Sequence, residues 1–304
     1  MSEEHTEAAR GRAETALRET AKHTLHAYGR ATAPLRAHPD FLLIGAKRGG
    51  TTSLWAYLSE HPDVLTMFPR AEKLKGLYYF DEQFTRGDAW YRSHFPMRAR
   101  RERPTRRGTR TVVGEATPYY LYHPLAPTRA HAVVPNAQIL VALRDPVERA
   151  YSHYKERLRN DTEPLSFADA IAAEPARLAG EAERIVAEPG YVSFAHRHQS
   201  YVDQGRYAPM LERWFDAYGA DNVLVEISEE MYADPQATCD RVTDRLGIAR
   251  HPLADTSAHN AEPARGLDPA VRAELTELLA PDIRATELLL GRTLPWSRTT
   301  ATTR

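Results

Sequence analysis

A short apolar run followed at once by a glycine-rich loop is the feature that most restricts how this chain can fold. Residues 41–44 (FLLI) are too few for a helix and end at Gly45, so we predict a fully buried strand of the parallel type. Gly49 and Gly50 follow in the loop, and an apolar helical pattern occupies residues 51–58. A strand, a glycine loop and a helix in this order can cradle a phosphate, because loop N–H groups and the positive helix end converge on an anion.

Three further apolar runs are predicted strands, with helical patterns between and after them. Residues 138–143 (QILVAL) precede Asp145 and Pro146, which are typical of an N-cap and a first helical position, so a helix is predicted through about Arg159. Strands that alternate with helices predict an α/β fold of three layers, with a central, mostly parallel sheet and helices on both faces. The other predicted strands are 111–114 and 222–227, the other predicted helices lie within 164–218 and near 234–246, 268–280 and 282–290, and long loops are predicted at about 66–110 and 250–268.

Composition narrows the class of protein. The chain has 304 residues, with 40 Lys plus Arg against 41 Asp plus Glu, so no strong positive field argues for nucleic acid. Cys239 is the only cysteine, which excludes a disulfide framework and a cysteine zinc site, and the histidines show no metal-ligand spacing. Residues 1–38 are predicted to form a helical or partly disordered N-terminal extension. No apolar window is long enough for a membrane span or a signal peptide, so we expect a cytoplasmic protein.

The loop after the first predicted strand nearly fits the Walker phosphate-binding pattern. Four residues separate Gly45 from Gly50, as in that pattern, but Thr51 stands where a lysine is required. The positive charge lies inside the loop instead, at Lys47 and Arg48. From the loop alone, a turn that merely joins the strand to the helix is an open alternative, and a dinucleotide fingerprint fits less well because its glycine spacing differs.

A second motif follows the predicted strand at 138–143. Arg144 leaves the carboxyl end of that strand, the edge at which open α/β sheets bind ligands, and Ser152 lies two turns into the next helix. A guanidinium and a hydroxyl in this arrangement could bracket a second phosphate. An arginine–aspartate turn that only caps the helix is the alternative for this motif by itself.

Together the two motifs resemble those of the sulfotransferases that use 3'-phosphoadenosine 5'-phosphosulfate (PAPS). The pattern Gly-x-x-x-x-Gly-Thr-Thr, with Arg-Asp-Pro-x-x-Arg-x-x-Ser about a hundred residues later, is similar to the heparan-sulfate-type branch and its bacterial relatives. The resemblance covers roughly residues 40–296 and implies one sulfotransferase domain at 39–304. Further matching segments are Tyr79-Phe80-Asp81, Trp90-Tyr91 with Phe95-Pro96, Gly114 to Tyr120, Gly205 to Ala208 with Glu212-Arg213-Trp214, and Leu290 to Trp296.

The resemblance implies a role for each residue of the two motifs. The loop would hold the 5'-phosphosulfate, and Arg48, which stands where many relatives carry a catalytic lysine, would neutralise charge on the bridging oxygen as the sulfuryl group departs. Arg144 and Ser152 would bind the 3'-phosphate, and Arg265 would close over it unless it is an ordinary surface arginine. No metal is implied. The residues expected to bind the cofactor are Lys47, Arg48, Gly49, Gly50, Thr51, Thr52, Ser53, Arg144, Ser152 and Arg265.

The general base is where this sequence departs from the family pattern. The glutamate expected four residues before the phenylalanine that matches Phe80 is replaced by Gly76, which cannot accept a proton. Unless the acceptor is already acidic, another group must take the proton of its hydroxyl. Glu115 is our first candidate, because it follows a predicted strand at the edge where the site should open; its alternative role is a structural carboxylate paired with Arg48 or Lys47. The next candidates are Asp81, then Glu72 and His123, so the predicted catalytic residues are Arg48, Glu115 and Asp81.

These observations predict transfer of a sulfuryl group from PAPS to a hydroxyl or amine of a small-molecule, glycoside or lipid-linked acceptor, with release of 3',5'-diphosphoadenosine (PAP). A nucleotide kinase or other phosphotransferase is one alternative, although the missing lysine and the Arg144–Ser152 pair argue against it. A binding protein that lacks a base because of Gly76 is the other. The seven arginines between residues 98 and 110 predict a solvated loop or a contact to an anionic substrate, not a nucleic-acid surface.

Overall fold

A parallel sheet of five strands forms the centre of the structure, a computed structural model that describes residues 19–101, 110–257 and 266–300. The strands are β1 (Phe41–Gly45), β2 (Val64–Leu65), β3 (Val112–Ala116), β4 (Gln138–Leu143) and β5 (Val223–Ile227). Their order in the sheet is β2-β3-β1-β4-β5, and every pair is parallel. Phe41 is in register with Gly114 of β3 and with Gln138 of β4, so β1 is the central strand.

Side chains alternate between the two faces of the sheet, and each face has its own apolar core. Leu42 and Ile44 of β1 belong to one core, whereas Phe41 and Leu43 belong to the other, and all four are fully buried. A strand that is buried on both faces appears in the sequence as a continuous apolar run, which explains why residues 41–44 predict this strand. The predicted three-layer α/β fold, with helices on both faces, is confirmed.

The helices connect the strands and cover both faces of the sheet. Helices α6, α10 and α13, as bounded below, pack on one face, and α2 and α12 pack on the other. In chain order the described residues form α1 (residues 19–31), α2 (Thr51–Glu60), α3 (Gly87–Arg92), α4 (Arg98–Arg101), α5 (Ala126–Val133), α6 (Pro146–Arg159), α7 (Phe167–Leu178), α8 (Glu181–Ala187), α9 (Phe194–His198), α10 (Tyr207–Tyr218), α11 (Ser228–Ala233), α12 (Pro235–Leu246) and α13 (Pro269–Leu290).

Helix α6 begins and ends where the sequence predicts. The carboxylate of its N-cap Asp145 accepts hydrogen bonds from the N–H groups of Val147 and Glu148, which satisfies part of the open first turn. Because β1 and β4 are neighbours, the start of α6 lies beside the loop that follows β1. This edge of the sheet therefore holds both sequence motifs.

Several elements differ from the predictions: the short helices α3, α4, α5 and α11 are not predicted, and α13 and β2 differ for physical reasons that the structure shows. The sequence predicts separate helices at 268–280 and 282–290, but α13 is continuous through Pro281. Proline interrupts the hydrogen bonding of a helix interior, yet the buried side chains of Leu279 and Ile283 on either side hold this helix against the core. Strand β2 is not predicted, because a run of two residues is too short to show a period in the sequence.

The described part of the N-terminal extension packs on the segment that follows β2. The rings of Tyr28 in α1 and Phe68 are 6.1 Å apart, and His26 hydrogen-bonds Glu72 at 2.8 Å. The sequence predicts a long loop at 66–110, and the structure adds the short helices α3 and α4 within it. Within the described ranges we find no helix with the length and apolar character needed to cross a membrane.

Candidate active site

The loop after β1 leads directly into α2, and no side chain of the described residues caps that helix. The start of a helix carries unpaired N–H groups and a partial positive charge, so it favours an anion. Gly50 holds the turn with a φ of 91°, and a Cβ on it would lie 2.4 Å from Oγ of Ser228. Ser228 in turn donates a hydrogen bond of 2.5 Å to the carbonyl of Gly49. The first residue of α11 therefore fixes the loop from behind.

A cavity of about 290 Å³ opens beside this loop, at the carboxyl ends of the central strands. Six of its lining side chains are cations and one is a carboxylate, so the wall is positive although the net charge of the whole chain is −1. Glu82 and Glu148, which are not on the wall, pair with Arg197 and Arg144. The positive wall suits a ligand with several negative groups. The lining cations are Lys47, Arg48, Lys75, Arg144, Arg157 and Arg197, and the carboxylate is Glu156.

The two sequence motifs meet at this cavity: Arg48 and Arg144 lie on its wall, and Ser152 is buried behind it. Nε of Arg48 donates a hydrogen bond of 3.0 Å to Oγ of Ser152. Arg144 lines the same cavity, and its carbonyl accepts a hydrogen bond of 2.8 Å from the hydroxyl of Tyr207. Arg48 has a φ of 64°, and a residue with a side chain is uncommon in that conformation away from turns and functional sites. The structure thus brings Arg48, Arg144 and Ser152 together, as the resemblance implies.

Most of the other residues predicted to bind the cofactor also line the cavity. Gly49 and Ser53 lie behind it: the carbonyl of Gly49 is bonded to α11, and the hydroxyl of Ser53 lies 3.5 Å from that of Tyr232. Arg265 lies outside the described residues. The predicted loop residues on the cavity wall are Lys47, Arg48, Gly50, Thr51 and Thr52.

Two lysines of the cavity are held where their charge is disfavoured. The pKa of Lys47 is lowered to about 7, chiefly by burial and also by three nearby arginines, although the charge of Glu156 opposes this. The pKa of Lys75 is lowered to about 8 by burial and by the charge of Arg48. Nζ of Lys75 donates a hydrogen bond of 3.1 Å to Oγ1 of Thr52. An anion in the cavity would raise both pKa values again, since an opposite charge favours the ionised form.

Gly76 lines the cavity, and the close packing of its backbone explains why a glycine stands there. A Cβ on Gly76 would lie 2.4 Å from the carbonyl oxygen of Ala116 and 2.5 Å from Oγ1 of Thr117. The N–H of Ala116 also donates a hydrogen bond of 2.7 Å to the carbonyl of Lys75. This segment lies so close to the end of β3 that a larger residue requires a backbone shift.

Glu115, the first candidate for the base, lies behind the cavity wall. Its side chain is fully buried, and neither Arg48 nor Lys47 is among its described partners. Burial raises the pKa of Glu115 to about 7, although its hydrogen bonds oppose this. The catalytic role of Glu115 stays a prediction, while the carboxylate visibly serves the fold. It accepts hydrogen bonds of 2.7–3.2 Å from the N–H of Leu77 and the hydroxyls of Tyr91, Thr117 and Tyr120.

The remaining candidates for the base are not on the described cavity wall either. Asp81 is 7% exposed, burial raises its pKa to about 7, and its Oδ2 has no hydrogen-bond partner among the described residues. Glu72 is hydrogen-bonded to His26. Burial lowers the pKa of His123 to about 3. The structure therefore brings the predicted binding residues together but does not bring a predicted base to them.

Besides Lys75, the sequence analysis misses four polar residues that two helices bring to the cavity wall. Glu156 and Arg157 belong to α6, whereas Arg197 and His198 belong to α9. The guanidinium of Arg197 lies 4.9 Å from the ring centre of Tyr78, and Nη1 of Arg157 lies 3.0 Å from Nδ1 of His198. No motif marks these residues, because their place depends on how α9 packs against α6.

The fold and the cavity together define a class: an α/β protein with a glycine-rich loop at a positive cavity after its central strand and a second basic motif at the end of the neighbouring strand. The chain belongs to the sulfotransferase family, whose family model matches residues 39–252. The sulfotransferase resemblance predicted from the two motifs is therefore confirmed.

Individual relatives agree with this membership. Human heparan sulfate glucosamine 3-O-sulfotransferase 6 is 31% identical over 223 residues, which are 71% of this chain and 54% of that protein. Human bifunctional heparan sulfate N-deacetylase/N-sulfotransferase 3 is 30% identical over 217 residues, which are 70% of this chain and 23% of that protein. The chain thus spans about a quarter to about half of these curated relatives. The crystal structure of a sulfotransferase from Alicyclobacillus acidocaldarius is 29% identical, with a TM-score of 0.67 over 86% of this chain and 99% of that one.

Proposed function

We propose that this chain transfers a sulfuryl group from PAPS to a hydroxyl or amine, and that PAP is the product released. The observation that carries the proposal is the convergence of both motifs on one positive cavity, where Arg48 contacts Ser152 and Arg144 lies on the same wall. The names of the two human relatives include an O-sulfotransferase and an N-sulfotransferase, which is consistent with either acceptor atom. For the acceptor we propose a small molecule, a glycoside or a lipid-linked compound.

The residues present fit a donor with two anionic ends. The uncapped start of α2, with the hydroxyls of Thr51 and Thr52, would hold the 5'-phosphosulfate. Arg144 and Ser152 would hold the 3'-phosphate, and Arg265, outside the described residues, would close over it. PAPS would supply the activated sulfuryl group. No metal is part of the proposal.

Arg48 is proposed to stabilise the negative charge that develops on the leaving phosphate oxygen. Lys75 adds a second cation on the same side of the cavity, because its Nζ donates to Thr52 of the loop. Cations fixed where charge develops lower the barrier without reorganising during the reaction. We further propose that the transferase unit comprises residues 39–304 and that residues 1–38 are an N-terminal extension.

Calorimetry with PAP tests the proposed cofactor. We expect PAP to bind without Mg²⁺ and to bind more tightly than ATP with Mg²⁺, because the second motif holds a 3'-phosphate that ATP lacks. Preference for ATP with Mg²⁺ would instead identify a phosphotransferase. If PAP binds but no PAPS is consumed with a panel of alcohols, phenols, amines and sugars, the chain is a binding protein without transfer activity.

The lowered pKa values of Lys47 and Lys75 predict that PAP binding takes up protons. In the free protein these pKa values are about 7 and about 8, so at about pH 8 part of the lysine population is neutral. A bound anion raises both pKa values, so the affinity for PAP should fall as the pH rises from about 7 to about 9. Calorimetry in buffers of different ionisation enthalpy measures the uptake directly.

The matched control for this experiment is the double variant Lys47→Met and Lys75→Met. It should lose the dependence of the binding enthalpy on the buffer. Equal binding enthalpies in all buffers for the wild-type protein would contradict the prediction.

A further inference from the structure

One carboxylate of the cavity is explained by neither sequence motif. Among the described residues of the cavity wall, Glu156 alone carries a carboxylate. It lies on α6, one turn after Ser152, and residues four apart on a helix share a face. Since Ser152 accepts the hydrogen bond from Arg48, Glu156 stands on the side of α6 that faces the loop. Its side chain is 29% exposed.

The contacts of Glu156 leave one of its oxygens without a donor. Oε2 is shielded from bulk solvent and accepts no hydrogen bond from any described residue. Nη2 of Arg157 lies 3.4 Å from Oε2, in ion-pair contact, and the charge of Glu156 also acts on Lys47. A buried carboxylate oxygen without a hydrogen-bond donor is costly, so this carboxylate gains by taking up a proton. Because Oε2 is shielded, the exposed part of the side chain lies at its other atoms, and a hydroxyl group in the cavity can reach the carboxylate there.

His198, on the wall, and Glu115, behind it, are poorly suited to remove a proton from a hydroxyl group in the cavity. Nδ1 of His198 lies 3.0 Å from Nη1 of Arg157 and 3.4 Å from Nζ of Lys47, which are donors. Nδ1 is therefore the acceptor, and Nε2 carries the hydrogen and can only donate. The carboxylate of Glu115 lies behind the wall and is already engaged by four donors.

We propose that Glu156 is the general base that accepts the proton of the acceptor's hydroxyl group. The inference rests on the sulfotransferase function proposed above. As the acceptor oxygen bonds to sulfur, the bond from sulfur to the bridging phosphate oxygen breaks, and that oxygen keeps the electron pair as PAP leaves. The hydroxyl proton moves to the carboxylate of Glu156, which later releases it to solvent. Glu156 thus supplies the group that Gly76 cannot provide.

Water serves as the test acceptor, because its attack on PAPS, which gives PAP and inorganic sulfate, requires no knowledge of the natural acceptor. Glu156→Gln keeps the size of the side chain and removes the base. We expect single-turnover hydrolysis of PAPS to fall about 100-fold, while the Kd for PAP stays within about twofold of the wild-type value. In Glu156→Ala, added formate should restore part of the lost rate.

The matched control is Asp161→Asn, which removes one negative charge just beyond the end of α6. Asp161 has a φ of 53°, a conformation that asparagine also tolerates, and it does not line the described cavity. This variant should hydrolyse PAPS at the wild-type rate.

Each other outcome overturns the assignment in a distinct way. An unchanged rate of hydrolysis in Glu156→Gln removes Glu156 as the base and leaves the sulfotransferase function standing. A fall in rate that formate does not rescue, together with a weaker Kd for PAP, makes Glu156 a binding residue instead. A wild-type protein that binds PAP but never consumes PAPS removes the proposed function, and the base with it.

Discussion

Replacement of Arg48 by alanine is expected to slow the conversion of PAPS to PAP by about 100-fold or more, because one well-placed donor at a developing negative charge contributes about 3–4 kcal/mol. The guanidinium lies in the cavity, where it donates to Ser152. At a φ of 64° the steric cost comes from the Cβ atom, which arginine and alanine both have. The substitution therefore adds no backbone strain to the loop. Single-turnover kinetics measures the rate, and circular dichroism checks that the fold is kept.

Two further variants distinguish the effect of the positive charge at residue 48 from the effect of the hydrogen bond between Arg48 and Ser152. Arg48→Lys keeps the positive charge and should retain much more of the rate than Arg48→Ala. Ser152→Ala removes the hydrogen-bond partner of Arg48, and its main effect should be weaker PAP binding. If Arg48→Ala turns over at close to the wild-type rate while it still binds PAP, the catalytic role of Arg48 is wrong.

Local sequence patterns are enough to predict most of the strands and the main helices of the fold. β1 and β4 are almost wholly apolar runs that only a sheet covered on both faces can bury, β3 and β5 begin with such runs, and α6 begins with an N-cap and a proline. The exceptions depend on tertiary contacts. β2 is a strand because β3 lies beside it, and α13 passes through Pro281 because the core holds it on both sides.

The candidate site could be predicted only where it follows from strand order. Arg48 and Arg144 come from the carboxyl ends of two strands, and such residues converge once those strands are neighbours in a parallel sheet. Lys75, Glu156 and Arg197 carry no such signal, because the packing of irregular segments and of the short helix α9 brings them to the cavity. From the sequence Gly76 suggests only a lost glutamate, whereas the structure shows a backbone pressed against β3.

Glu115 shows why residue type and position alone cannot separate a base from a structural carboxylate. Both roles place a carboxylate at the end of a central strand. The distinction lies in its partners, Tyr91 and Tyr120, which reach Glu115 from α3 and from the segment after β3. These hydroxyls, with the N–H of Leu77 and the hydroxyl of Thr117, tie three segments of the chain to one buried carboxyl group.

The replacement Glu115→Ala is therefore expected to cost roughly 3 kcal/mol or more of folding free energy, because it leaves buried donors without an acceptor. The N–H of Leu77 cannot turn away, whereas the tyrosine hydroxyls can rotate. Glu115→Gln keeps one oxygen for Leu77 and should cost roughly 1–2 kcal/mol. Urea denaturation measures both values.

Because the carboxylate lies behind the cavity, Glu115→Gln should keep nearly all of its turnover per folded molecule. Wild-type stability combined with a rate about 100-fold lower would instead make Glu115 the base and exclude Glu156 from that role.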